Sequence, residues 1–360
     1  MSEEQIIHDN ISCELIITTK CNFSCTYCVA HDLDAMTMDL DSGKKSIDMF
    51  VALGKGAKNI EFIFTGGEPL LNFFNLKSLV IYAEEKSKEF NMNPFFVIKT
   101  NGSLFESEIV DFCKKYGIKV VISIDGSSKY HDKNRLTCDG RLTHETVVCN
   151  LRKLQDNRIE LSASLTVHPD NVEHIGDNVK YLHGLGLKEI DVGPVYGTAN
   201  WSQAQIEHFK KALSVCAQYI RKVNETDSLE ISPLNKNSEH VDDILKDCWG
   251  CKAGLNNLAF MPNGNIVGCS SLGMLSNKFP ELIVGNIDSG INENSLQYLF
   301  DNSQASDVLR NSCIICETKN NCAGGCMAIN LSTTQTPLIP PQFYCEIISS
   351  ISAAWENAWR

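Results

Sequence analysis

The chain has 360 residues, of which 43% are hydrophobic and 21% charged, the composition of an ordinary soluble globular protein. Its formal net charge of −12 disfavours a nucleic-acid partner, because proteins that bind the phosphate backbone need a basic face. No apolar run is long enough to span a bilayer, and the acidic start "MSEEQIIHDN" lacks the basic and apolar regions of a secretion signal, so we expect a cytoplasmic protein that does not bind membranes.

Short β-branched runs alternate with longer amphipathic runs from residue 11 to about residue 225. The predicted strands are 14–19, 60–66, 95–100, 119–125, 161–167 and 189–195. The predicted helices lie near 42–56, 74–90, 105–116, 143–156, 171–183 and 202–223. This order predicts an α/β fold with a parallel sheet and helices outside it. Because a closed barrel needs eight βα units, we predict a partial (β/α)6 barrel, with a flat doubly wound sheet as the alternative.

A polar stretch at 224–240 interrupts this alternation, and the residues after it are irregular and rich in cysteine. We therefore predict a barrel domain over 1–225, a linker over 226–247 and a small cysteine-rich domain over 248–360. The second domain has too irregular a core to be stable without metal.

Sixteen cysteines are unusual for a cytoplasmic chain of this length, where thiols stay reduced. They are concentrated at 21–28 and 248–345, which indicates metal binding rather than disulfides. Cys21, Cys25 and Cys28 follow the first predicted strand, and the stretches "TGGEP", "KTNG" and "SIDG" follow the next three. Because the carboxyl ends of parallel strands share one edge of the sheet, we expect these four loops to meet at one site.

Three cysteines in one loop suit a [4Fe–4S] cluster in which one iron has no protein ligand. The alternative interpretation is a structural zinc ion whose fourth ligand is Cys13 or His31. The spacing Cys-x3-Cys-x2-Cys, with Tyr27 before the last cysteine, resembles the radical S-adenosylmethionine (SAM) superfamily. In that family the open iron binds the methionine part of SAM, and an electron from the cluster produces a 5′-deoxyadenosyl radical that abstracts hydrogen. The resemblance makes Cys21, Cys25 and Cys28 the catalytic cluster ligands.

The resemblance extends to the other three loops. Gly66, Gly67, Glu68 and Pro69 look like the family's GGEP motif, in which the glycines allow close approach of the methionine amino group and the glutamate accepts from it. The stretch "SIDGSSKYHDKNR" contains Ser123, Asp125 and Arg135, which the resemblance assigns to the methionine carboxylate and the ribose. Asn101 and Tyr27 complete the predicted cofactor contacts.

The second cysteine region resembles the SPASM domain, an auxiliary-cluster module of peptide-modifying family members. Twelve residues separate Cys251 from Gly264 and four separate that glycine from Cys269; Cys-x2-Cys-x5-Cys-x3-Cys and a last cysteine follow. The family pattern implies one cluster on Cys248, Cys251, Cys269 and Cys326, and a second on Cys313, Cys316, Cys322 and Cys345, so three [4Fe–4S] clusters in all. Two zinc sites are the alternative, since zinc ribbons share the Cys-x2-Cys spacing.

The resemblance, which spans roughly residues 11–346, implies a peptide or protein substrate and an electron donor such as flavodoxin or ferredoxin. The first hypothesis is a maturase that installs a thioether, a carbon–carbon crosslink or a related modification in a ribosomal precursor peptide. The second is an anaerobic sulfatase-maturating enzyme, which makes formylglycine. That branch carries an aspartate base where this chain has Ser270, a poor proton acceptor. An electron carrier without catalysis and a tRNA-modifying enzyme are weaker alternatives.

Overall fold

The computed structural model describes residues 9–30, 33–234, 253–303, 313, 316, 322 and 325–359. In this part of the chain eleven strands form one sheet, in the order β11-β10-β9-β8-β1-β2-β3-β4-β5-β6-β7. The strands are β1 (Asn10–Thr18), β2 (Asn59–Gly66), β3 (Asn93–Thr100), β4 (Lys119–Ser123), β5 (Leu161–Val167), β6 (Glu189–Pro194), β7 (Glu230–Ser232), β8 (Asn257–Phe260), β9 (Asn265–Val267), β10 (Ile283–Asn286) and β11 (Gly290–Ile291).

Most of the helices lie between the strands. They are α1 (Leu40–Leu53), α2 (Phe73–Glu89), α3 (Ser107–Tyr116), α4 (Ser128–Asn134), α5 (His144–Asp156), α6 (Ile175–Gly184), α7 (Gln203–Val223), α8 (Ser270–Gly273), α9 (Glu293–Ser303), α10 (Met327–Thr334) and α11 (Gln342–Trp359). Short 3-10 helices occupy Pro69–Asn72, Pro169–His174 and Pro280–Leu282.

The six predicted βα units are confirmed, and the fold is the α/β partial barrel expected for them. Strands β1 to β6 pair in parallel in chain order. Two further parallel strands extend the sheet, β7 beside β6 and β8 beside β1. Strand β7 lies within the stretch predicted as a linker, so the sheet continues past residue 225. Its three residues are too few to give a periodic signal in the sequence.

The two faces of the parallel strands have different chemistry. The outer face carries large apolar side chains that are fully buried under the helices, such as Phe62, Phe64 and Ile98. The inner face lines a cavity of about 330 Å³ with both apolar and charged side chains. Strand residues alternate between the faces, so the sequence pattern assigns each side chain to the core or to the cavity.

The part of the chain after the barrel packs onto it. Helix α11 lies against α7, and the Phe343 ring stacks on Trp201 with 5.7 Å between the ring centroids. The indole N–H of Trp359 donates to the Leu234 carbonyl oxygen at 2.7 Å. These contacts attach the cysteine-rich region to the barrel beside β6 and β7. Among the described helices, none is long and apolar enough to cross a membrane.

Candidate active site

The loop after β2 pairs with the start of the cysteine loop after β1. The Gly67 N–H donates to the Thr18 carbonyl oxygen at 2.8 Å, and the Glu68 N–H donates to that of Lys20 at 2.9 Å. This backbone pairing continues the β1–β2 ladder beyond the strands. It fixes the chain immediately before Cys21.

Both glycines of "TGGEP" are required by this close approach. Gly66 has φ +132°, and a Cβ atom there would lie 2.2 Å from the Thr18 oxygen. A Cβ atom on Gly67 would lie 2.2 Å from the Lys20 oxygen. In this structure, therefore, the glycines are needed for contact with the cysteine loop, whereas the sequence predicted contact with the methionine amino group.

Replacing Gly67 by alanine is expected to displace the cysteine loop, because the obstructing atom is backbone and cannot rotate away. We expect a loss of stability of about 1–3 kcal/mol and a lower bound-iron content. Thermal unfolding and iron analysis measure the two effects. Gly184→Ala is the control, since a Cβ atom there meets nothing within 4 Å; equal behaviour of the two variants would contradict the explanation.

Glu68 is directed into the protein. Its carboxylate is fully buried and accepts from the Thr100 hydroxyl at 2.8 and 2.9 Å, from the Asn101 N–H at 2.8 Å and from the Leu70 N–H at 3.0 Å. Burial raises the pKa of Glu68 to about 7, against the lowering effect of these donors. Glu68 therefore joins the loops after β2 and β3, and the predicted contact with the methionine amino group stays a prediction. Pro69 is buried at the start of the following 3-10 helix.

Cys21, Cys25 and Cys28 lie half-buried in the loop after β1. Burial raises the pKa of Cys21 to about 12, and burial also raises the pKa of Cys25. Each of these thiols is close enough to the next to raise its neighbour's pKa further. The thiols of Cys21 and Cys25 therefore favour the protonated state until a metal binds, and metal binding must release their protons.

The segment after α4 holds the cysteine loop from the other side. The Ser24 N–H donates to the Leu136 carbonyl oxygen at 2.8 Å, and the Thr26 N–H donates to that of Asn134 at 2.9 Å. Cys138 also lies here: its N–H donates to the Asn22 carbonyl oxygen at 3.1 Å and its thiol lies 3.5 Å from the Cys21 oxygen. The sequence did not predict α4 as a helix, because its seven residues are too few to show periodicity.

A buried ion pair lies under the cysteine loop. Arg135 donates through Nε and Nη2 to the two Asp125 carboxylate oxygens at 2.9 and 3.0 Å. Asp125 also accepts from the Tyr27 hydroxyl and from the Thr166 N–H at 3.0 Å. The guanidinium carbon lies 5.3 Å from the centroid of the Tyr27 ring and the guanidinium bonds the Cys25 thiol. Asp125 is fully buried and Arg135 is 6% exposed, so both mainly hold the cysteine loop.

His131 supports this ion pair, a role that the sequence did not predict. It is fully buried; its Nδ1 accepts from the Asp125 N–H at 3.3 Å, and its Nε2 lies 3.0 Å from the Thr143 hydroxyl oxygen. The Thr143 hydroxyl donates to the Arg135 carbonyl oxygen, so it must accept from Nε2–H. These bonds require the neutral imidazole with its proton on Nε2. Burial, assisted by the charge of Arg135, lowers the pKa of His131 from 6.5 to about 3.

A neutral buried histidine gives the fold a defined dependence on pH. Below about pH 6.5 the unfolded chain binds a proton at His131 that the folded chain does not, so stability is lost as the pH falls. Between neutral pH and about pH 5 this amounts to about 2 kcal/mol. His131→Asn keeps an acceptor for the Asp125 N–H but does not titrate. Denaturant unfolding of both proteins at the two pH values should show that the wild type has the larger free energy of unfolding at neutral pH and that this difference becomes smaller at pH 5. An equal decrease in the free energy of unfolding of both proteins would contradict the assignment.

The assignment of the auxiliary cysteines to two clusters stays a prediction, and the pKa shifts of their neighbours show which described thiols lie near one another. Partial burial, and secondly the thiols of Cys322, Cys313 and Cys316, raise the pKa of Cys345 to about 11, so these four lie together. Cys269 and Cys326 both lie near the phenol of Tyr196, as does Cys28 of the first loop. Cys248 and Cys251 lie outside the described residues. Tyr196, which the sequence did not indicate, is therefore near thiols of both the first loop and the auxiliary region.

The inner cavity is lined by side chains of the parallel strands β2 to β7. Ser123, Ser164, Asp191 and Ser232 occupy one register level across β4 to β7 and face the cavity side. Enclosure raises the pKa of Asp191, opposed by a hydrogen bond from Ser232 and by the charge of Lys99. Of these four residues, Asp191 and Ser232 line the cavity itself. Ser123 is one of the predicted SAM contacts. Its hydroxyl has no hydrogen-bond partner among the described residues.

The donor groups fit an iron–sulfur cluster better than a single zinc ion. No three His, Cys, Asp or Glu side chains in the described part of the chain converge closely enough to hold one metal ion. Cys13, a candidate zinc ligand, is fully buried in β1 within the apolar core, and His31 lies outside the described residues. A four-iron cluster is larger than one ion, so its thiolate ligands stand further apart. Cys21, Cys25 and Cys28 are therefore the residues that would hold it.

Comparison with known proteins is consistent with this site. The family model described as the radical SAM superfamily matches residues 15–182. The uncharacterized protein MJ0907 of Methanocaldococcus jannaschii is 31% identical over 208 residues, which cover 57% of this chain and 71% of the relative. A serine-type anaerobic sulfatase-maturating enzyme of Klebsiella aerogenes is 20% identical over 329 residues, 87% of this chain and 78% of the relative.

Solved structures share the fold over nearly the whole chain. The structure of anSMEcpe with bound AdoMet and Kp18Cys peptide has a TM-score of 0.79 at 18% identity and covers 96% of both chains. Streptococcus suis SuiB bound to precursor peptide SuiA has a TM-score of 0.65 at 17% identity, over 93% of this chain and 76% of SuiB. At these identities the likeness establishes the fold alone.

Proposed function

The chain belongs to the radical SAM superfamily, and we propose that it is a maturase that abstracts hydrogen from a ribosomal precursor peptide to install a thioether, a carbon–carbon crosslink or a related modification. Members of this superfamily use a [4Fe–4S] cluster and SAM. The observation that carries the proposal is the three-cysteine loop, which follows the carboxyl end of β1 and is hydrogen-bonded to the loops after β2 and β3.

The protein's part in this reaction is to position groups and to exclude water. When bound and reduced, the cluster supplies the electron that cleaves SAM to the 5′-deoxyadenosyl radical. Cys21, Cys25 and Cys28 would hold that cluster, and Ser123 offers a hydroxyl to the cosubstrate. The cavity between β2 and β7 would take the substrate side chain.

The auxiliary cysteines support a three-cluster enzyme. The proximity of Cys345 to Cys313, Cys316 and Cys322 favours one four-thiolate cluster, and the shared neighbour Tyr196 favours Cys269 and Cys326 as members of another. Clusters with four protein thiolates have no open iron, so we assign to them electron transfer rather than substrate binding. An electron donor such as flavodoxin or ferredoxin would reduce the system.

A sulfatase-maturating activity is the second candidate. It is favoured by the match over 87% of this chain to an enzyme of that name and by the similar fold of anSMEcpe. The residue after Cys269 is Ser270, which opens helix α8 and is a poor base. For this reason we place the precursor-peptide maturase first; the fold does not separate the two candidates, since both anSMEcpe and SuiB share it.

Replacing Cys21, Cys25 and Cys28 together by alanine is expected to abolish SAM cleavage. It should also lower the iron content by about four atoms per chain, one cluster's worth. Mass spectrometry of 5′-deoxyadenosine and iron analysis after anaerobic reconstitution measure both. Cys149→Ala, an exposed cysteine on α5, is the control and should change neither. Deoxyadenosine formation by the triple variant would refute the assignment.

Two kinds of peptide separate the two candidate reactions. The reconstituted enzyme, with SAM and reductant, is incubated with small precursor peptides encoded beside its gene and with a cysteine-containing sulfatase peptide. A precursor peptide that loses two hydrogens and does not react with an aldehyde reagent supports the maturase. An aldehyde on the sulfatase peptide supports the second candidate, and failure of both peptides to bind or react contradicts a peptide substrate of either class.

A further inference from the structure

Two thiols of the cysteine loop receive hydrogen bonds from buried side chains that the family resemblance predicts to contact SAM. The Arg135 guanidinium bonds the Cys25 thiol. The Asn101 amide Nδ2 lies 3.8 Å from Cys21 Sγ, which also accepts from the Phe23 N–H at 3.4 Å.

Arg135 is held where it is by contacts that leave it little freedom. Its guanidinium group donates two hydrogen bonds to the Asp125 carboxylate, and the guanidinium carbon lies 5.3 Å from the centroid of the Tyr27 ring. Only 6% of the residue is exposed. An arginine stays protonated under all physiological conditions. Cys25 therefore has a buried guanidinium beside it, whose positive charge is partly balanced by the Asp125 carboxylate and is weakly screened by solvent.

The orientation of Asn101 is also fixed. Its Oδ1 accepts from the Ser103 N–H at 2.9 Å and from the Ser103 hydroxyl at 2.7 Å, and its Nδ2 donates to Asn22 Oδ1 at 2.8 Å. A flipped amide would lose both bonds from Ser103. The N–H side of the amide must therefore face Cys21.

Reduction adds one negative charge to an iron–sulfur cluster, and its thiolate ligands share that charge. Hydrogen bonds to the sulfurs and nearby positive charge stabilise the reduced state more than the oxidised state. We propose that Arg135 and Asn101 raise the reduction potential of the cluster held by Cys21, Cys25 and Cys28, acting through Cys25 and Cys21 and without SAM. This proposal rests on the proposed function only in requiring that cluster.

The role implied by the family resemblance makes a different prediction. If Arg135 and Asn101 acted only on SAM, their replacement would weaken SAM binding and leave the potential of the SAM-free cluster unchanged. If they act on the thiolates, the potential shifts before SAM is added. The midpoint potential without SAM therefore distinguishes the two roles.

The experiment is an EPR-monitored redox titration of the anaerobically reconstituted full chain without SAM. The signal of this cluster is the one that the Cys21, Cys25 and Cys28 triple alanine variant lacks. Arg135→Gln removes the charge and should shift the midpoint to a more negative value, and Arg135→Lys should recover part of the shift. Asn101→Asp keeps the oxygen that bonds Ser103 but places an anion beside Cys21, so it should also shift the midpoint negatively.

Arg158→Gln is the matched control, because it removes the same charge from an exposed residue before β5, at the opposite edge of the sheet. Variants are compared at equal iron content and spin count, which separates a shifted potential from a failure to assemble the cluster. If Arg135→Gln does not assemble, Arg135→Lys and Asn101→Asp decide the question. Unchanged midpoint potentials in the assembled variants would overturn the proposal. If the wild type and the triple alanine variant instead give the same EPR signals, the cysteine loop holds no such cluster, and the proposed function is overturned.

Discussion

The buried ion pair between Arg135 and Asp125 is the interaction on which the site depends. It joins the end of β4 to the segment after α4, and through Tyr27 and Cys25 it joins both to the cysteine loop. A buried charge pair is costly unless each partner is fully hydrogen-bonded, and here Asp125 accepts four hydrogen bonds. The same network that fixes the loop thereby also places the Arg135 guanidinium, paired with Asp125, beside Cys25. Holding the loop and adjusting its electrostatics are two consequences of one interaction.

The rest of the site follows from close backbone approach at the edge of the parallel sheet. Because Gly66 and Gly67 have no side chains, the loop after β2 can extend the ladder to Lys20, and Glu68 then reaches the loop after β3. Hydrogen bonds between backbone groups, and others to the buried Glu68 carboxylate, in this way join the loops after β1, β2 and β3. Below them, the inner face of the sheet lines a cavity with apolar and charged side chains, among them Asp191 and Lys99.

Periodicity and motif spacing predicted the six βα units, the partial barrel and the meeting of four loops at one edge, because each rests on repeated local signals. The direction of individual polar side chains could not be read in this way. Glu68, Asp125, Asn101 and Arg135 each bond to protein groups that no local sequence signal indicates. His131 and Tyr196 were missed because a single buried histidine or tyrosine has no periodic signal; only the folded chain brings them to Asp125 and to the cysteines.

The central claim is that Cys21, Cys25 and Cys28 hold a cluster with one open iron that binds SAM. Mössbauer spectroscopy of the reconstituted full chain, recorded with and without SAM, tests this most directly. The account predicts that a single iron of one cluster acquires distinct parameters when SAM is added, and that the triple alanine variant shows no such change. A spectrum that SAM leaves unaltered at every iron, in protein that contains the full complement of iron, would contradict it.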